Sequence, residues 1–394
     1  MAIPELVNDL VDEILCRVPA TSMKRLRSTS KRWNRLFKDD RRFVREHCDK
    51  AAKEFRALML TKELGISPMS VRGDVPPFVE VKRALSLPDP DPHFNNSRQF
   101  DIAQVSHCDG LLLCTPRYGS QIVVWNPFTG QARWIEAEGH HFVLGYSQDK
   151  KKSSSCRKSY KVLNFSRGTN NSEIYDFDSD SWRLVDHDIA PGWTIDYSNC
   201  RSVSFKGNIY WIAKEGQGRP ISDRTIYLLR FDFSTERSQR LPLPYQSRLD
   251  YVAASLSAVR EDKLSVLFQL GVRSKTEIWV TNKIDDDSSQ AISWTKLLAL
   301  DVSFDRQLSE FGSFLLDEEK KFVVWFETWL NLNVDFGVDK ISMFGEDNDL
   351  KVIDVGVDKD MECWPVIFNY VPSLFQVERA QIKRAGCKRK RGEC

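Results

Sequence analysis

Apolar residues recur every three or four positions at the start of the chain, and mostly every second position from about residue 100 onward. Leu6, Leu10 and Ile14 stand four apart, and Val7, Val11, Leu15 and Val18 widen the same stripe, a pattern that predicts an amphipathic helix. Asp9 and Asp12 suit its start, where acids meet the positive end of the helix dipole. Pro19 ends it. Thr21 or Ser22 can cap a second helix with Met23, Leu26, Trp33 and Phe37 as its apolar stripe. Its other face holds Lys24, Arg25, Arg27, Lys31, Arg32, Arg35 and Lys38. Two short helices of this kind bury too little surface to be stable alone, so they need something to lie against. The run "EHCDKAAKEFRA" (46–57) continues the helical pattern, and "ALMLTK" (57–62) is the first strand-like stretch. The segment "LPDPDPHFNN" (87–96) reads as loop, because proline cannot serve a central strand.

Beyond residue 100 the same design repeats: apolar strand, polar turn, second strand. It occurs in "IVVWNPFTGQARWIE" (122–136), "EIYDFDSDSWRLVD" (173–186), "IYLLRFDFSTERSQRLPLP" (226–244) and "EIWVTN…ISWTKLLALD" (277–301). The intervals between Trp125, Tyr175, Phe231 and Trp279 are 50, 56 and 48 residues. Further strands lie between, in "CDGLLLC" (108–114), "YKVLNFS" (160–166), "SVSFKGNIYWIAK" (202–214), "LSVLFQLG" (264–271) and "SFLLDEEKKFVVWF" (313–326). Four strands at a period of roughly 50 residues describe a β-propeller blade. A two-sheet sandwich is the competing architecture, and the fixed period argues against it. The available length allows a six- or seven-bladed propeller. Closing it gives "ALMLTK" and "WPVIFNYVPSLFQV" (364–377) places in one blade. Gly207-Asn208 suits the tight turn of a hairpin in "SFKGNIYWI".

Composition narrows the function. A net charge of +2 over 394 residues gives no field to draw the whole molecule to nucleic acid or membrane. Charge is uneven locally: residues 1–15 hold four acids and no base, whereas 17–45 hold eleven Lys or Arg against two Asp. Basic residues without stacking aromatics on the same face speak for a solvated face or an acidic partner, not nucleic acid. No secretory signal or membrane span is visible. The nine cysteines are scattered without a C-x-x-C pair, which suits reduced thiols in the cytoplasm or nucleus.

Enzyme chemistry finds little support. The six histidines are dispersed, and His140-His141 on one strand would point to opposite faces. His107-Cys108-Asp109 are adjacent and do not converge as a triad; they read as a turn entering an inner strand. Neither G-x-S-x-G nor a P-loop occurs. "EDNDLKVIDVGVDKDME" (346–362) lacks EF-hand spacing and reads as solvated turns. No catalytic residue, metal or cofactor is expected.

The opening stretch resembles the F-box. Leu6-Val7, Asp9-Leu10, Glu13-Ile14-Leu15, Arg17-Val18-Pro19 and Arg27…Lys31-Arg32-Trp33 follow the family's pattern over some forty residues, except that Val7 stands where the family has proline. The remainder resembles the plant F-box-associated domain with kelch-like repeats, through "CDGLLLC", "VVWNPFTGQ", "GNIYWIA" and "YVPSLFQV". The organisation implied is F-box helices over 1–45, a connecting helix, first strand and Pro-rich loop over 46–100, a propeller over 101–378, and a basic tail over 379–394. The "KRKR" of that tail reads equally as a solvated end or a nuclear signal.

The resemblance implies the non-enzymatic substrate-recognition subunit of a Skp-cullin-F-box ubiquitin ligase. Leu6, Val7, Leu10, Ile14, Leu15, Val18, Pro19, Met23 and Leu26 would meet a Skp-type adaptor and, through it, the cullin-RING ligase. The propeller would hold a target protein. The alternative is a stand-alone propeller that binds peptide or glycan behind a degenerate F-box. Candidate target-binding loops are 147–159, 186–201 and 215–225, with Trp193, Tyr197 and Arg219 as candidate contacts.

Overall fold

The computed structural model describes residues 8–72, 78–88, 99–139, 141–148, 158–165, 172–190, 193–195, 202–215, 226–245, 251–260, 262–270, 275–284, 292–300, 308–309, 312–331, 336–346, 351–358 and 366–377. Its first part is four short helices: α1 (Asn8–Leu15), α2 (Ala20–Leu26), α3 (Lys31–Asp39) and α4 (Arg41–Lys50). The expected second helix is therefore two. Ser28 and Thr29 donate their hydroxyls back to the carbonyls of Arg25 (2.7 Å) and Leu26 (2.8 Å) and break the run. Ser30 then accepts from the Trp33 amide to start α3. Thr21 and Ser22 lie inside α2, whose N-cap is Pro19 without a side-chain cap bond. Asp40 caps α4 through the amides of Arg42 (2.8 Å) and Phe43 (2.9 Å). Helix α4 stops at Lys50, earlier than the pattern over 46–57 predicts, because Ala51 turns extended and Ala52 donates to the Arg17 carbonyl at 3.1 Å.

Behind them stand six sheets, each a blade of a six-bladed propeller. The first joins both parts of the chain: Val366–Tyr370 is innermost, followed by Arg56–Leu60, Ile66–Arg72 and Phe78–Val81. Leu58 opposite Phe368 and Leu60 opposite Val366 set the closing register, as the sharing of a blade predicts. Blades two and three run 104–136 and 142–184, and blades four to six run 193–241, 251–300 and 312–358. Neighbouring innermost strands touch around the axis. The repeated strand-turn-strand pieces are the outer hairpins. Trp125, Tyr175, Phe231 and Trp279 each lie on the third strand of a blade.

Two expectations need correction. Lys351–Asp358 is not solvated turn but the outer strand of the sixth blade, in register with Gly337–Met343. An outermost strand tolerates charge because one of its edges is unpaired. The tight turn in "SFKGNIYWI" is Lys206-Gly207, with φ of 50° and 78°, one step before Gly207-Asn208. Positive φ at both positions matches the strand twist.

The propeller has no single core. Its apolar residues pack in layers between adjacent blades, as Leu113 and Val124 do on Leu144 and Val162, and as Leu163 and Ile174 do on Trp211 and Phe231. Gly312 makes one layer possible, since a Cβ there would lie 1.7 Å from Cζ2 of the buried Trp325. The Pro-rich segment lies mostly outside the described residues, and the basic tail lies wholly outside them.

Candidate interaction surfaces

Helix α1 is apolar on two sides. Leu15 and the adjoining Cys16 turn inward and pack with Met23, Phe37, Phe43 and Val44. Leu10 and Ile14, four residues apart on the other side, are 54% and 55% exposed. Among the described residues they are the most exposed large apolar side chains of the helical unit. Val18, Pro19 and Leu26 are half-buried at the margin. The expected nine-residue stripe is therefore divided. Leu15 and Met23 are buried in the unit's own core and offer no surface to a partner. Leu6 and Val7 lie outside the described residues.

Ion pairs hold the flank of this stripe. Arg17 lies 2.5 Å and Lys50 3.2 Å from Glu13, Lys50 also reaches Glu46 at 3.3 Å, and Arg32 reaches Asp12 at 2.7 Å. Hydrogen bonds from Arg17 and then Lys50 hold the Glu13 carboxyl below its ordinary range. Glu13, Cys16 and Glu46 approach within 4.8 Å of one another, a spacing compatible with a metal. The two carboxylates are already matched by cations, however, and burial raises the Cys16 thiol, so the cluster reads as an ion-pair network.

The helical unit sits on the propeller end that bears the turns between first and second strands and between third and fourth strands. Phe128, from the N-P-F-T-G turn, and Leu374, just past the closing strand, both enter the helical core. Lys158 pairs with Asp109 at 2.7 Å and with Asp49 of α4's C-terminal turn at 3.7 Å. Burial opposes its charge, but the two carboxylates outweigh that and its pKa rises above the ordinary lysine value. A cleft of about 940 Å³ remains between helices and propeller, bounded by His47 and Lys53 on one side and Asp109 and Lys206 on the other.

Along the axis runs a cavity of about 110 Å³ with an uncharged lining that includes Gln104, Ser106, His107, Ser257, Ser313 and Asn369. His107 stacks on Phe368 with ring centroids 5.0 Å apart, and burial lowers its pKa to about 4. Burial also raises the adjacent Cys108 thiol. A neutral imidazole beside a protonated thiol is poorly suited to nucleophilic chemistry.

The candidate target loops do not share a face. The strand ends at Gln148 and Lys158 lie at the helical end of the propeller, whereas Glu215 and Ile226 end strands at the opposite end. Trp193 opens the short strand Trp193–Ile195 and stands opposite Glu215 at that opposite end. Tyr197 and Arg219 lie outside the described residues. The sequence reading passed over Tyr118, which is 73% exposed at the far end, with the Arg117 guanidinium 5.2 Å from its ring. Flanking Gly119 and Ser120 were the available turn signal. Among the described residues no helix is long and apolar enough to cross a membrane.

Comparison with known proteins fits this arrangement. A family model of the F-box domain matches residues 3–45, and a model of the F-box associated beta propeller domain matches residues 56–377. The chain is 52% identical to F-box protein ETP1 of Arabidopsis thaliana, with all of both chains covered. It is 52% identical to F-box protein ETP2 of the same plant over 98% of each. An F-box/kelch-repeat protein, also from Arabidopsis thaliana, is 47% identical over 98% of this chain and 99% of its own length.

Proposed function

This chain belongs to the F-box proteins that carry an F-box associated beta propeller domain, and from that premise we propose that it is the target-binding receptor of a Skp-cullin-F-box ubiquitin ligase. The helical unit docks on a Skp-type adaptor, which joins it to the cullin. The propeller holds a target protein. The receptor supplies no catalytic group and acts by raising the local concentration of target lysines near the ubiquitin-charged enzyme. Such an assembly works in the cytoplasm or nucleus.

The observation that carries this reading is the exposed pair Leu10 and Ile14. Exposed apolar side chains one helical turn apart, on a unit whose other described apolar residues are buried or half-buried, form the centre of a partner-binding patch. Leu6 and Val7 extend the same sequence stripe, with Val18, Pro19 and Leu26 at its rim. Leu15 and Met23 support it from beneath. Because the helices cover one end of the propeller, the opposite end, which carries Tyr118 and the strand Trp193–Ile195, is the side assigned to a target.

Titrating the full chain with purified Skp-type adaptor tests the first half of this proposal. Wild type should bind, and Leu10→Asp should weaken binding by at least tenfold with the propeller's unfolding midpoint unchanged. Failure of the wild type to bind would leave a stand-alone propeller module as the better account.

A further inference from the structure

The segment Val371–Val377, just past the closing strand, is built into both parts of the molecule. Asn126 is fully buried, and its side-chain amide donates to the carbonyls of Ser373 (3.1 Å) and Phe375 (2.7 Å). Its side-chain oxygen accepts from the amides of Phe128 (2.9 Å) and Thr129 (3.2 Å). One side chain thus fixes the segment and the N-P-F-T-G turn together. On the propeller side Phe375 lies against Tyr160 with ring centroids 4.5 Å apart, and Val377 joins the layer between the second and third blades. On the helical side Leu374, only 3% exposed, packs into the cluster of Leu15, Met23, Phe37, Phe43 and Val44. Gln376 donates its side-chain amide to the Lys38 carbonyl at the end of α3, across 338 positions of sequence.

The four helices have only 7 to 10 residues each, below the length at which helices persist without tertiary packing. We infer that Leu374, held by Asn126, completes the core of the F-box, so that the adaptor-binding face is organised only once the propeller has closed. Leu374 is in this sense a positioning residue: it touches no partner, yet it supports the helix pair beneath Leu10 and Ile14. In chain order the helices are made first and Leu374 far later, so a chain whose propeller has not closed presents a poorly ordered face. The consequence is a receptor that joins its ligase only when its target-binding domain is folded. The adaptor half of this inference rests on the function proposed above.

The test compares full-length wild type, Leu374→Ala and Leu374→Met in two measurements. In titration with purified Skp-type adaptor, Leu374→Ala should bind at least tenfold more weakly, because a partly ordered site lowers apparent affinity by its ordered fraction. Leu374→Met should restore binding to within about threefold, since it refills the same volume. Binding by Leu374→Ala within twofold of wild type would overturn the inference while leaving the ligase reading intact. In amide exchange without adaptor, α3 and α4 should exchange at least tenfold faster in Leu374→Ala, with blades two to six unchanged. Equal acceleration in both parts, or none in the helices, would overturn it. If wild type does not bind the adaptor, the ligase reading fails, and the exchange result alone decides whether Leu374 completes the helical core.

Discussion

The propeller and the helical unit meet the same need, burying apolar surface, by opposite means. Each blade covers its neighbour with residues of the same kind, and the ring closes when Arg56–Leu60 pairs with Val366–Tyr370. The helical unit has no such symmetry. It buries Leu15, Met23, Phe37 and Phe43 among its own short helices, takes Phe128 and Leu374 from the propeller, and leaves Leu10 and Ile14 outside. A repeat fold with all its layers filled is self-sufficient, whereas a small helical unit with exposed apolar side chains is half of an interface.

If this contrast is right, damage to the helical unit should leave the propeller intact, whereas a propeller that opens should take the helical core with it. Trp325→Ala removes a fully buried indole that fills the space left by Gly312, and should cost the propeller about 3–5 kcal/mol in chemical denaturation. A loss below about 1 kcal/mol would mean the blade layers are loosely filled. Met23→Ala empties the middle of the helical core and should cost that unit about 3 kcal/mol. It should reduce the far-UV helical signal and leave the propeller's midpoint in place. A shift of both transitions together would break the comparison.

Acid should produce a smaller effect. His47 is buried in α4 with its Nε2 bonded to the Val18 carbonyl at 2.8 Å. Burial, only partly offset by that hydrogen bond, lowers its pKa from 6.5 to about 4. Its folded form therefore favours the neutral ring, which adds stability in full above pH 6.5 and loses it as pH falls toward 4. At pH 5 the loss is about 2 kcal/mol by linkage, read as a falling urea midpoint of the helical signal. His47→Gln should flatten that dependence. His107 in the axial cavity has a similarly lowered pKa, so the propeller should keep its own acid response in the His47 variant. Smallest of all, Arg42→Ala removes an exposed pair with Glu46 and should move neither transition measurably.

The two parts also differed in how far sequence reveals them. In the propeller, the repetition of Trp125, Tyr175, Phe231 and Trp279 marked equivalent third strands, and the matching apolar runs near each end anticipated closure. Blade number stayed open because the available length, at roughly 50 residues per blade, fits six or seven, and the outer strand Lys351–Asp358 was hidden because its charge reads as turn. In the helical unit the apolar period revealed α1. A period of 3.6 residues does not say, however, which apolar side faces its own chain. Leu10 and Leu15 look alike in sequence, and only the neighbours Met23, Phe37 and Leu374 distinguish them. Leu374 and Phe128 were hidden for a related reason, since their partners lie far away in the chain. Asn126 could be read as turn chemistry, but its second pair of hydrogen bonds depends on the closed ring.

The most direct measurement is amide exchange of the full chain with and without purified Skp-type adaptor. The account predicts strong protection over Asn8–Leu26, centred on α1, with exchange in blades two to six unchanged. Protection confined to the propeller, or none over α1 at saturating adaptor, would contradict the claim that Leu10 and Ile14 are the uncovered half of an interface.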